Sequence, residues 1–334
     1  MKVTQKDIAL KLGVSTSLVS RVLSGQAHRI GVSQRRIDSI LKLAEEMNYV
    51  PSPAALMLKG KNTQTIGIVV YDFHKPYFTT LLTEFQRLAH ENKYSLLVVG
   101  FPDRSPDNSN LIPLYKHSVD GIIVLGSFCD LDWIDDFKNK PIARIGHGER
   151  DSRLWLSVSV DEKDAMRKIL RHIRDDVEAK SVCFAYKPMK IYEHRKDAFE
   201  SVAAETDFKV SFASESEGAN EFETGRIIGT QISQASPRPD AVVCANDTFA
   251  MGVISALSDA GIKAGHDISV VGFDDIPASA HYTPTISSFR QPLEEYAKLC
   301  FQSIMIEKSA PDLNLKGKFI PRQSSALDLK KVES

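Results

Sequence analysis

The chain has 334 residues, enough for about two domains and a third small one. Hydrophobic residues make up 43% and charged residues 25%, which is typical of a globular protein and excludes a disordered or collagen-like chain. The net charge of −1 hides a division. Residues 1–61 carry ten Lys or Arg and four acidic residues, whereas the rest carry 32 basic and 39 acidic ones. A basic head on an acidic body favours nucleic-acid binding, because neutralised phosphates drive most of its affinity.

No apolar run approaches the roughly 18 residues that span a bilayer, and the polar start of the chain lacks the apolar stretch of a secretory signal. The sequence therefore predicts a cytoplasmic protein. The four cysteines, at positions 129, 183, 244 and 300, have neither CxxC nor CxxH spacing. We expect reduced thiols, with no disulfide, no metal site and no cofactor.

Three short amphipathic helices are predicted in the first fifty residues, over residues 4–12, 15–23 and 33–47. The first opens on Thr4 and Asp7, which have the spacing of a capping box with Asp in place of Glu. Each helix has an apolar stripe, and three such stripes can close one small core.

The polar face of the second helix carries the functional signal. Ser17, Ser20, Arg21 and Ser24 share this face. Short hydroxyl side chains are poor helix formers, but they suit a helix that enters a groove of DNA and bonds bases or phosphates. The alternative is a three-helix bundle with a serine-rich surface.

The next segment is predicted to form a stable helix only when it is paired. After Asn48-Tyr49-Val50-Pro51, a short helix is predicted from Pro53 to Lys59. Its length is well below the roughly 12–15 residues that an isolated helix needs in water. Pairing with the same segment of a second chain, against DNA, would stabilise it. The alternative is an interdomain linker whose leucines pack on the body.

The segments VTQKDIALKLGVSTSLVSRVLSG and NYVPSPAALMLKGK resemble the headpiece and hinge of the lactose/galactose-repressor (LacI/GalR) family of bacterial transcription regulators. The resemblance implies a helix-turn-helix whose second helix faces bases, and a hinge leucine that wedges into the minor groove. The DNA-binding residues expected from the helix pattern and the resemblance are Ser15, Thr16, Ser17, Ser20, Arg21, Arg29 and Leu58. The chain departs from the family pattern at Leu18, Ser24, the loop 26–31 and Ser52-Pro53, which leaves the operator sequence open.

From residue 65 the chain alternates between apolar runs and amphipathic stretches, a pattern that predicts parallel sheets covered by helices on both faces. The predicted strands are Thr65–Tyr71, Ser95–Val99, Gly121–Leu125, Pro141–Ile145, Ser181–Ala185, Ala241–Ala245 and Ser269–Gly272. The predicted helices are Tyr77–Asn92, Leu131–Phe137, Glu162–Arg174, His194–Ala204, Phe222–Gln234 and Asp247–Ala260. There are too many strands for one compact sheet, so we expect two Rossmann-like lobes.

The expected organisation is therefore an all-α headpiece at 1–50, a hinge at 51–61 and a two-lobed α/β core at 62–334, of the periplasmic-binding-protein type. The chain is expected to cross between the lobes near Val160–Asp161 and again near Arg290–Gln291. The first lobe then comprises about 62–160 and 291–322, and the second comprises about 161–290.

Ligands of open α/β sheets bind beyond the carboxyl ends of the strands. Polar and aromatic residues at these predicted ends suit the hydrogen bonding of hydroxyls and stacking on a ring. Asp161 and Asp247 have an alternative role as helix caps. Segments such as PDAVVCANDTFAMGVISAL resemble the family's regulatory core, which is similar to periplasmic sugar-binding proteins. The effector-binding residues expected from the strand ends and the resemblance are Phe78, Ser127, Asp161, Arg195, Asn246, Asp274 and Gln291.

The pocket departs from the family pattern, and the identity of the effector is left open. DEKDAM at 161–166 stands where the family has D-N-x-x-G. Met189 and Ile191 occupy positions that are polar in purine-responsive members, and Asn220 stands where an aromatic residue is common.

The sequence gives little support for an enzyme. GHG at 146–148 lacks the third glycine of a dinucleotide fingerprint, and no GxxxxGK[ST], GxSxG or HExxH motif occurs. Asp274-Asp275 could act as paired carboxylates, although ligand contacts and caps explain them more simply. We expect no catalytic residues.

The resemblance implies a homodimeric repressor that binds palindromic double-stranded operator DNA and responds to a small-molecule effector, with a sugar as the expected class. The effector changes the angle between the lobes and so the separation of the two hinges. The alternative is a corepressor-dependent regulator, in which a small molecule or a phosphoprotein promotes DNA binding.

Overall fold

The computed structural model describes residues 3–25, 27, 31–49, 62–101, 108–218, 220–306 and 309–325. It separates into two compact units, residues 1–63 and residues 64–334. Within the described ranges, no helix combines the length and the apolar character that a membrane crossing requires.

The first unit contains the three predicted helices: α1 (Gln5–Leu12), α2 (Thr16–Leu23) and α3 (Gln34–Glu46). Thr4 and Asp7 form the reciprocal capping box at the start of α1. The Asp7 amide donates to Thr4 Oγ1 at 3.3 Å, and the Thr4 amide donates to Asp7 Oδ2 at 2.8 Å. These local bonds pair amides that the first helical turn would otherwise leave without partners.

A small apolar core joins the three helices. Its buried residues are Ile8, Ala9, Val19, Val22, Ala27, Ile37, Ile40 and Ala44. Leu12, which the sequence placed on the inner face of α1, is half-buried beside this core. The apolar stripe of α2 therefore faces inward, and the residues between its members face outward.

In the described part of the second unit, strands form two six-stranded sheets. The strand order of the first is β11-β5-β4-β3-β1-β2, and its pairings are all parallel. Its strands are β1 (Thr65–Val70), β2 (Ser95–Gly100), β3 (Gly121–Leu125), β4 (Ile142–Ile145), β5 (Leu156–Val160) and β11 (Leu313–Leu315). Its helices are α4 (Pro76–Glu91), α5 (Asn108–Lys116) and α10 (Leu293–Ile306).

The second sheet has the order β12-β10-β9-β8-β6-β7 and is parallel except for its β10–β12 pair. Its strands are β6 (Ser181–Tyr186), β7 (Lys209–Ser214), β8 (Ala241–Cys244), β9 (Ser269–Asp274), β10 (Ser287–Arg290) and β12 (Lys318–Ile320). Its helices are α6 (Glu162–Asp175), α7 (Lys190–Ala203), α8 (Glu221–Gln234) and α9 (Asp247–Asp259). Two lobes of this kind place the carboxyl ends of both sheets at the cleft between them.

The chain crosses between the lobes three times, not twice. It enters the second lobe after β5 and returns to the first lobe after β10, where it forms β11. It crosses a third time before β12, which pairs antiparallel with β10. The assignment of 318–322 to the first lobe was therefore wrong. Strands of three residues are too short to show a periodic pattern, and only the pairing reveals which sheet they join.

Some predicted elements differ from the observed ones. The segment predicted as a helix at Leu131–Phe137 is a 3₁₀ turn over Asp132–Phe137, in which Trp133, Ile134 and Phe137 are buried. The helix predicted from His194 begins at Lys190. Strands β7 and β10 were not predicted because their sequences are polar, and β7 is an exposed edge strand.

Helices α8 and α9 pack unusually closely. A Cβ on Gly252 of α9 would lie 2.1 Å from the carbonyl oxygen of Phe222 and 2.8 Å from the amide of Arg226. Both atoms belong to the backbone and cannot rotate away, so glycine is what allows these helices to approach.

We predict that Gly252→Ala lowers the free energy of unfolding by about 1–3 kcal/mol, because the added methyl group forces α8 and α9 apart. Chemical denaturation of the full chain measures this. Thr230→Ala, on the exposed face of α8, is the control and should change stability by less than about 0.5 kcal/mol. A Gly252→Ala protein as stable as the wild type would show that the helices are not closely coupled.

Candidate DNA-binding face and inter-lobe cleft

The candidate DNA-binding residues cluster on one face of the first unit. Ser15 caps α2, since its Oγ accepts a hydrogen bond from the Leu18 amide at 3.2 Å. Thr16, Ser17 and Arg21 are exposed, and Ser20 is half-buried. The start of α2 therefore presents short hydroxyl side chains beside an arginine on a convex helix surface.

A hollow lies between α2 and the start of α3. Ser15, Ser17, Arg21 and Arg36 are among its lining residues. Both arginines are exposed, so the hollow is electropositive. Helix N-termini and arginines together attract phosphate groups. Two further predicted residues, Arg29 and Leu58, lie outside the described residues.

A cleft of about 300 Å³ lies between the two lobes of the second unit. The expected residues that line it are Phe78, Ser127, Arg195, Asn246, Asp274 and Gln291. Asp161 does not line this cleft. Its Oδ1 accepts from the Asp164 amide at 2.9 Å and caps α6, which agrees with the alternative role considered for it.

A charged network joins the lobes across one side of the cleft. Lys75 lies at the start of α4 in the first lobe. Its Nζ is 3.2 Å from Glu221 Oε1 and donates a hydrogen bond to the Tyr192 hydroxyl at 2.9 Å. Asn246 Nδ2 donates to both second-lobe partners, at 2.8 Å to Glu221 Oε2 and at 3.0 Å to the Tyr192 oxygen. Burial opposes ionisation of Glu221, but Lys75, Tyr192 and Asn246 outweigh it and hold the pKa below the usual value.

Asn246 also caps a helix, so it has two roles. Its Oδ1 accepts from the Phe249 amide at 2.9 Å, which fixes the side chain at the start of α9. The amide group is then aimed at the network by the helix that it caps. Sequence reasoning gave Asp247 the capping alternative, whereas the structure places the cap one residue earlier.

Arg195 is buried and paired within the second lobe. Its Nε donates to Glu162 at 3.0 and 3.1 Å, and its Nη2 donates to Glu162 Oε1 at 2.9 Å. Its Nη1 donates to the Ala245 carbonyl at 2.6 Å, and the guanidinium lies 3.6 Å from the centre of the Phe273 ring. Sequence reasoning missed Glu162, although the departure at DEKDAM marks its position.

His147 of the first lobe makes a second contact across the lobes. Its Nε2 lies 3.3 Å from Glu162 Oε1. Burial by itself would raise the pKa of Glu162, but Arg195 and His147 overcome this effect and lower the pKa to about 2. The carboxylate is therefore charged over the physiological range.

Asp274, the last residue of β9, and Asp275, which follows it, have left-handed backbone angles, with φ values of 97° and 51°. Asp274 Oδ1 accepts from Gln291 Nε2 at 2.6 Å, so this contact joins β9 to the crossing of the chain. Asp275 is instead bound by Arg290 at 2.5 Å and Arg322 at 2.7 Å. The two carboxylates therefore have different partners and do not act as a pair.

Asp247 is a buried carboxyl group beside the cleft. Burial, with a smaller contribution from the charge of Asp274, raises its pKa to about 8. The Ser288 hydroxyl and the Ile276 amide lie 2.6 and 2.8 Å from its oxygens. A Cβ on Gly272 would lie 2.1 Å from Asp247 Oδ1, so the glycine leaves room for this side chain.

Other residues that line the cleft are apolar or aromatic. Met189, Ile191, Phe128 and Tyr77 line it together with Phe78. These surfaces suit the faces of a ring, and the polar groups described above suit its substituents. Within the described ranges, no group of three or more His, Cys, Asp or Glu residues is placed to hold a metal ion.

Comparison with known proteins connects the two units to one class. Residues 4–52 match the model of the bacterial regulatory proteins of the lacI family, and residues 180–325 match that of the periplasmic binding protein-like domain. The HTH-type transcriptional repressor PurR of Vibrio parahaemolyticus is 27% identical over 314 residues, which cover 91% of each chain.

Two solved structures have the same fold. The lac repressor dimer bound to operator and the anti-inducer ONPF has a TM-score of 0.79 at 20% identity, over 98% of this chain and all of that one. The complex of the transcriptional regulator CelR with cellobiose has a TM-score of 0.65 at 21% identity, over 97% of this chain and all of that one.

A helix-turn-helix unit in the same chain as a two-lobed binding core defines a DNA-binding transcriptional regulator with an effector-binding core. The resemblance seen in the sequence is confirmed by these matches. The chain therefore combines a DNA-binding unit of the lacI type with a periplasmic binding protein-like core, and over most of its length it is similar to bacterial transcriptional repressors.

The raised pKa of Asp247 predicts a pH dependence of stability. Between about pH 4 and pH 8 the folded protein binds a proton here that the unfolded chain releases, so stability falls as the pH rises through this window. As the pH rises, the free energy of unfolding of Asp247→Asn should fall less steeply than that of the wild type. The difference between the two slopes should be up to about 1.4 kcal/mol per pH unit. Denaturation at several pH values from 5 to 8 measures the slopes.

Asp207→Asn serves as the matched control, because Asp207 is exposed. It should keep the wild-type slope. Equal slopes for the wild type and Asp247→Asn would contradict the prediction.

Proposed function

We propose that this regulator is a homodimeric repressor whose affinity for a palindromic operator changes when a small hydroxylated molecule, most simply a sugar, binds between the lobes of its core. The observation that carries the proposal is the cleft, which combines aromatic walls with hydrogen-bonding groups from both lobes. A ligand seated there contacts Phe78 and Ser127 on one side, and Asn246 and Asp274 on the other.

For the DNA, we assign the first turns of α2 to the major groove. Ser15, Thr16, Ser17, Ser20 and Arg21 lie on or beside the face that would meet the bases and phosphates. Arg29 and Leu58 keep the DNA-contacting roles that the family resemblance implies. One such helix reads only a few base pairs, so two headpieces related by a twofold axis are needed for a specific palindrome.

For the effector, the polar groups favour hydroxyls. Asn246, Asp274, Gln291 and Ser127 supply amides, a carboxylate and a hydroxyl at the ends of strands. Phe78 and Tyr77 supply apolar surface on which a sugar ring can pack. The related fold of CelR is described in complex with cellobiose, which agrees with a carbohydrate ligand.

Effector binding is coupled to the arrangement of the lobes through the contacts between them, whose free energy differs from one arrangement to another. Lys75–Glu221 and His147–Glu162 each join a residue of the first lobe to one of the second. A ligand that binds one lobe arrangement more tightly shifts the population toward it, and a difference of about 1–3 kcal/mol suffices for regulation. Because operator DNA lies in the bacterial cytoplasm, we place the protein there.

The competing hypothesis is a corepressor-dependent regulator, for which a small molecule or phosphoprotein strengthens DNA binding. Titration of candidate sugars into an operator-bound sample separates the two. Release of DNA supports induction, and tighter binding supports corepression.

We predict that Arg21→Ala weakens binding to an operator selected from random DNA by the wild-type protein by about 5- to 150-fold, the loss of one specific contact. Wild-type affinity should also fall steeply with salt, because bound phosphates release counterions. Fluorescence anisotropy at several salt concentrations measures both. The control is Lys42→Ala, which removes the same charge from α3 at a side chain that is 79% exposed. A flat salt dependence, or equal losses in both variants, would contradict the assignment of α2.

We further predict that Asp274→Asn weakens the effect of an active sugar on operator binding by at least tenfold in sugar concentration. Both oxygens of the carboxylate can accept hydrogen bonds from ligand hydroxyls, whereas the asparagine amide has only one acceptor oxygen. Operator affinity without sugar should stay within about twofold of the wild type, and Asp207→Asn should behave as the wild type in both respects. An unchanged sugar response in Asp274→Asn would remove this residue from the effector site.

A further inference from the structure

We propose that Glu162 determines the charge class of the effector. By neutralising Arg195, it makes the cleft reject ligands that carry a carboxylate or phosphate and accept uncharged polyhydroxylated ones. This inference rests on the proposed function, and it assigns a role to a residue at which the chain departs from the family pattern.

The geometry of Arg195 supports the proposal. Arg195 lines the cleft, whereas Glu162 lies behind it and lines the neighbouring hollow. Three of the five N–H groups of the guanidinium already donate, to Glu162 and to the Ala245 carbonyl. At most two N–H groups remain for a ligand. The ring of Phe273 fixes the guanidinium plane from one face.

The positive charge of Arg195 is balanced by the carboxylate of Glu162. The side chains of Arg195 and Glu162 are 5% and 3% exposed, so water screens their attraction only weakly. A ligand therefore meets an arginine that can still donate hydrogen bonds but carries no uncompensated charge. Neutral oxygen acceptors, such as hydroxyls, match this group.

The neighbouring charges act in the same direction. Lys75 is paired with Glu221 at 3.2 Å, so this cation is also compensated. Lys190, which also lines the cleft, is exposed and lies over the Phe128 ring, 5.0 Å from its centre. Asp274 adds a carboxylate that is bound to the neutral amide of Gln291. Because Glu162 and Glu221 are compensated by Arg195 and Lys75, an anionic ligand would meet no cation of these two pairs with an unbalanced charge, and Asp274 beside it could only repel it.

The test uses inorganic phosphate as the probe, with sodium chloride at equal ionic strength as the reference. Glu162→Gln keeps the size and one acceptor oxygen of the side chain but removes the charge. We expect phosphate to raise the thermal midpoint of Glu162→Gln by several degrees more than that of the wild type. Glu193→Gln, an exposed acid on α7, should respond as the wild type does. The double variant Glu162→Gln/Arg195→Leu should lose the gain, which ties the effect to the guanidinium. Binding of phosphate to the headpiece is common to all four proteins and cancels in this comparison.

A merely structural role of Glu162 would lower the midpoint in both salts equally and would create no phosphate-specific gain. Equal phosphate responses in the wild type and Glu162→Gln would overturn the proposal. If Glu162→Gln does not fold, calorimetry on the wild type decides, with neutral aldoses and the matching aldonates and aldose phosphates. We expect at least tenfold weaker binding of every anionic member than of its neutral parent, and tighter binding of an anionic member, or no difference between the two groups, would overturn the proposal.

The failure of this inference can be told apart from that of the proposed function. Salt-dependent, operator-specific binding tests the regulator and does not depend on Glu162. A phosphate response in the wild type equal to that of Glu162→Gln, together with normal operator binding, would reject only the charge selectivity.

Discussion

Charges that are buried where two lobes meet must be compensated there, and this requirement governs the effector cleft. Arg195 is almost inaccessible, and removing its carboxylate partner would leave a buried cation with no counterion, which is costly in a protein interior. Glu162 meets this requirement from within the second lobe, and its contact with His147 extends the pair to the first. The same residues that balance charge therefore also hold the lobes in register.

In the proposed function, this arrangement would link ligand binding to the relative position of the lobes. Asn246 is fixed by capping α9, and its amide contacts Glu221 and Tyr192, which in turn contact Lys75 from the other lobe. A ligand hydroxyl that bonds the same amide competes with a contact in a network that crosses the cleft. Since the bond to the ligand and the bond that it replaces are similar in kind, the net free energy of the exchange is small. Small differences are nevertheless sufficient to shift the population between two arrangements of the lobes.

Local features of the sequence were sufficient for the headpiece and for most core strands. The Thr4–Asp7 capping box and the stripe of Val19 and Val22 act over three or four residues, so their pattern is visible in the chain itself. The strand ends likewise supplied Ser127, Asn246 and Asp274, three of the polar residues that line the cleft. The strands β5, β7, β10, β11 and β12 were not predicted: β7 and β10 are polar, β11 and β12 have three residues each, and β5 alternates serine with apolar residues, so their partners define them more than their composition does.

The partners of the cleft residues were beyond sequence reasoning for a related reason. Lys75 and Tyr192 are 117 positions apart, and Arg195 and Glu162 are 33 apart, so no spacing rule connects them. Sequence position could suggest that Arg195 faces a ligand, but not that its charge is already balanced. The difference matters for specificity. A site that offers hydrogen bonds without net charge discriminates by the number and placement of hydroxyls, because each missing hydroxyl leaves a buried polar group unpaired. The raised pKa of Asp247 fits the same pattern: burial, helped by the charge of Asp274, favours the protonated form of this acid, which adds polarity to the cleft without adding charge.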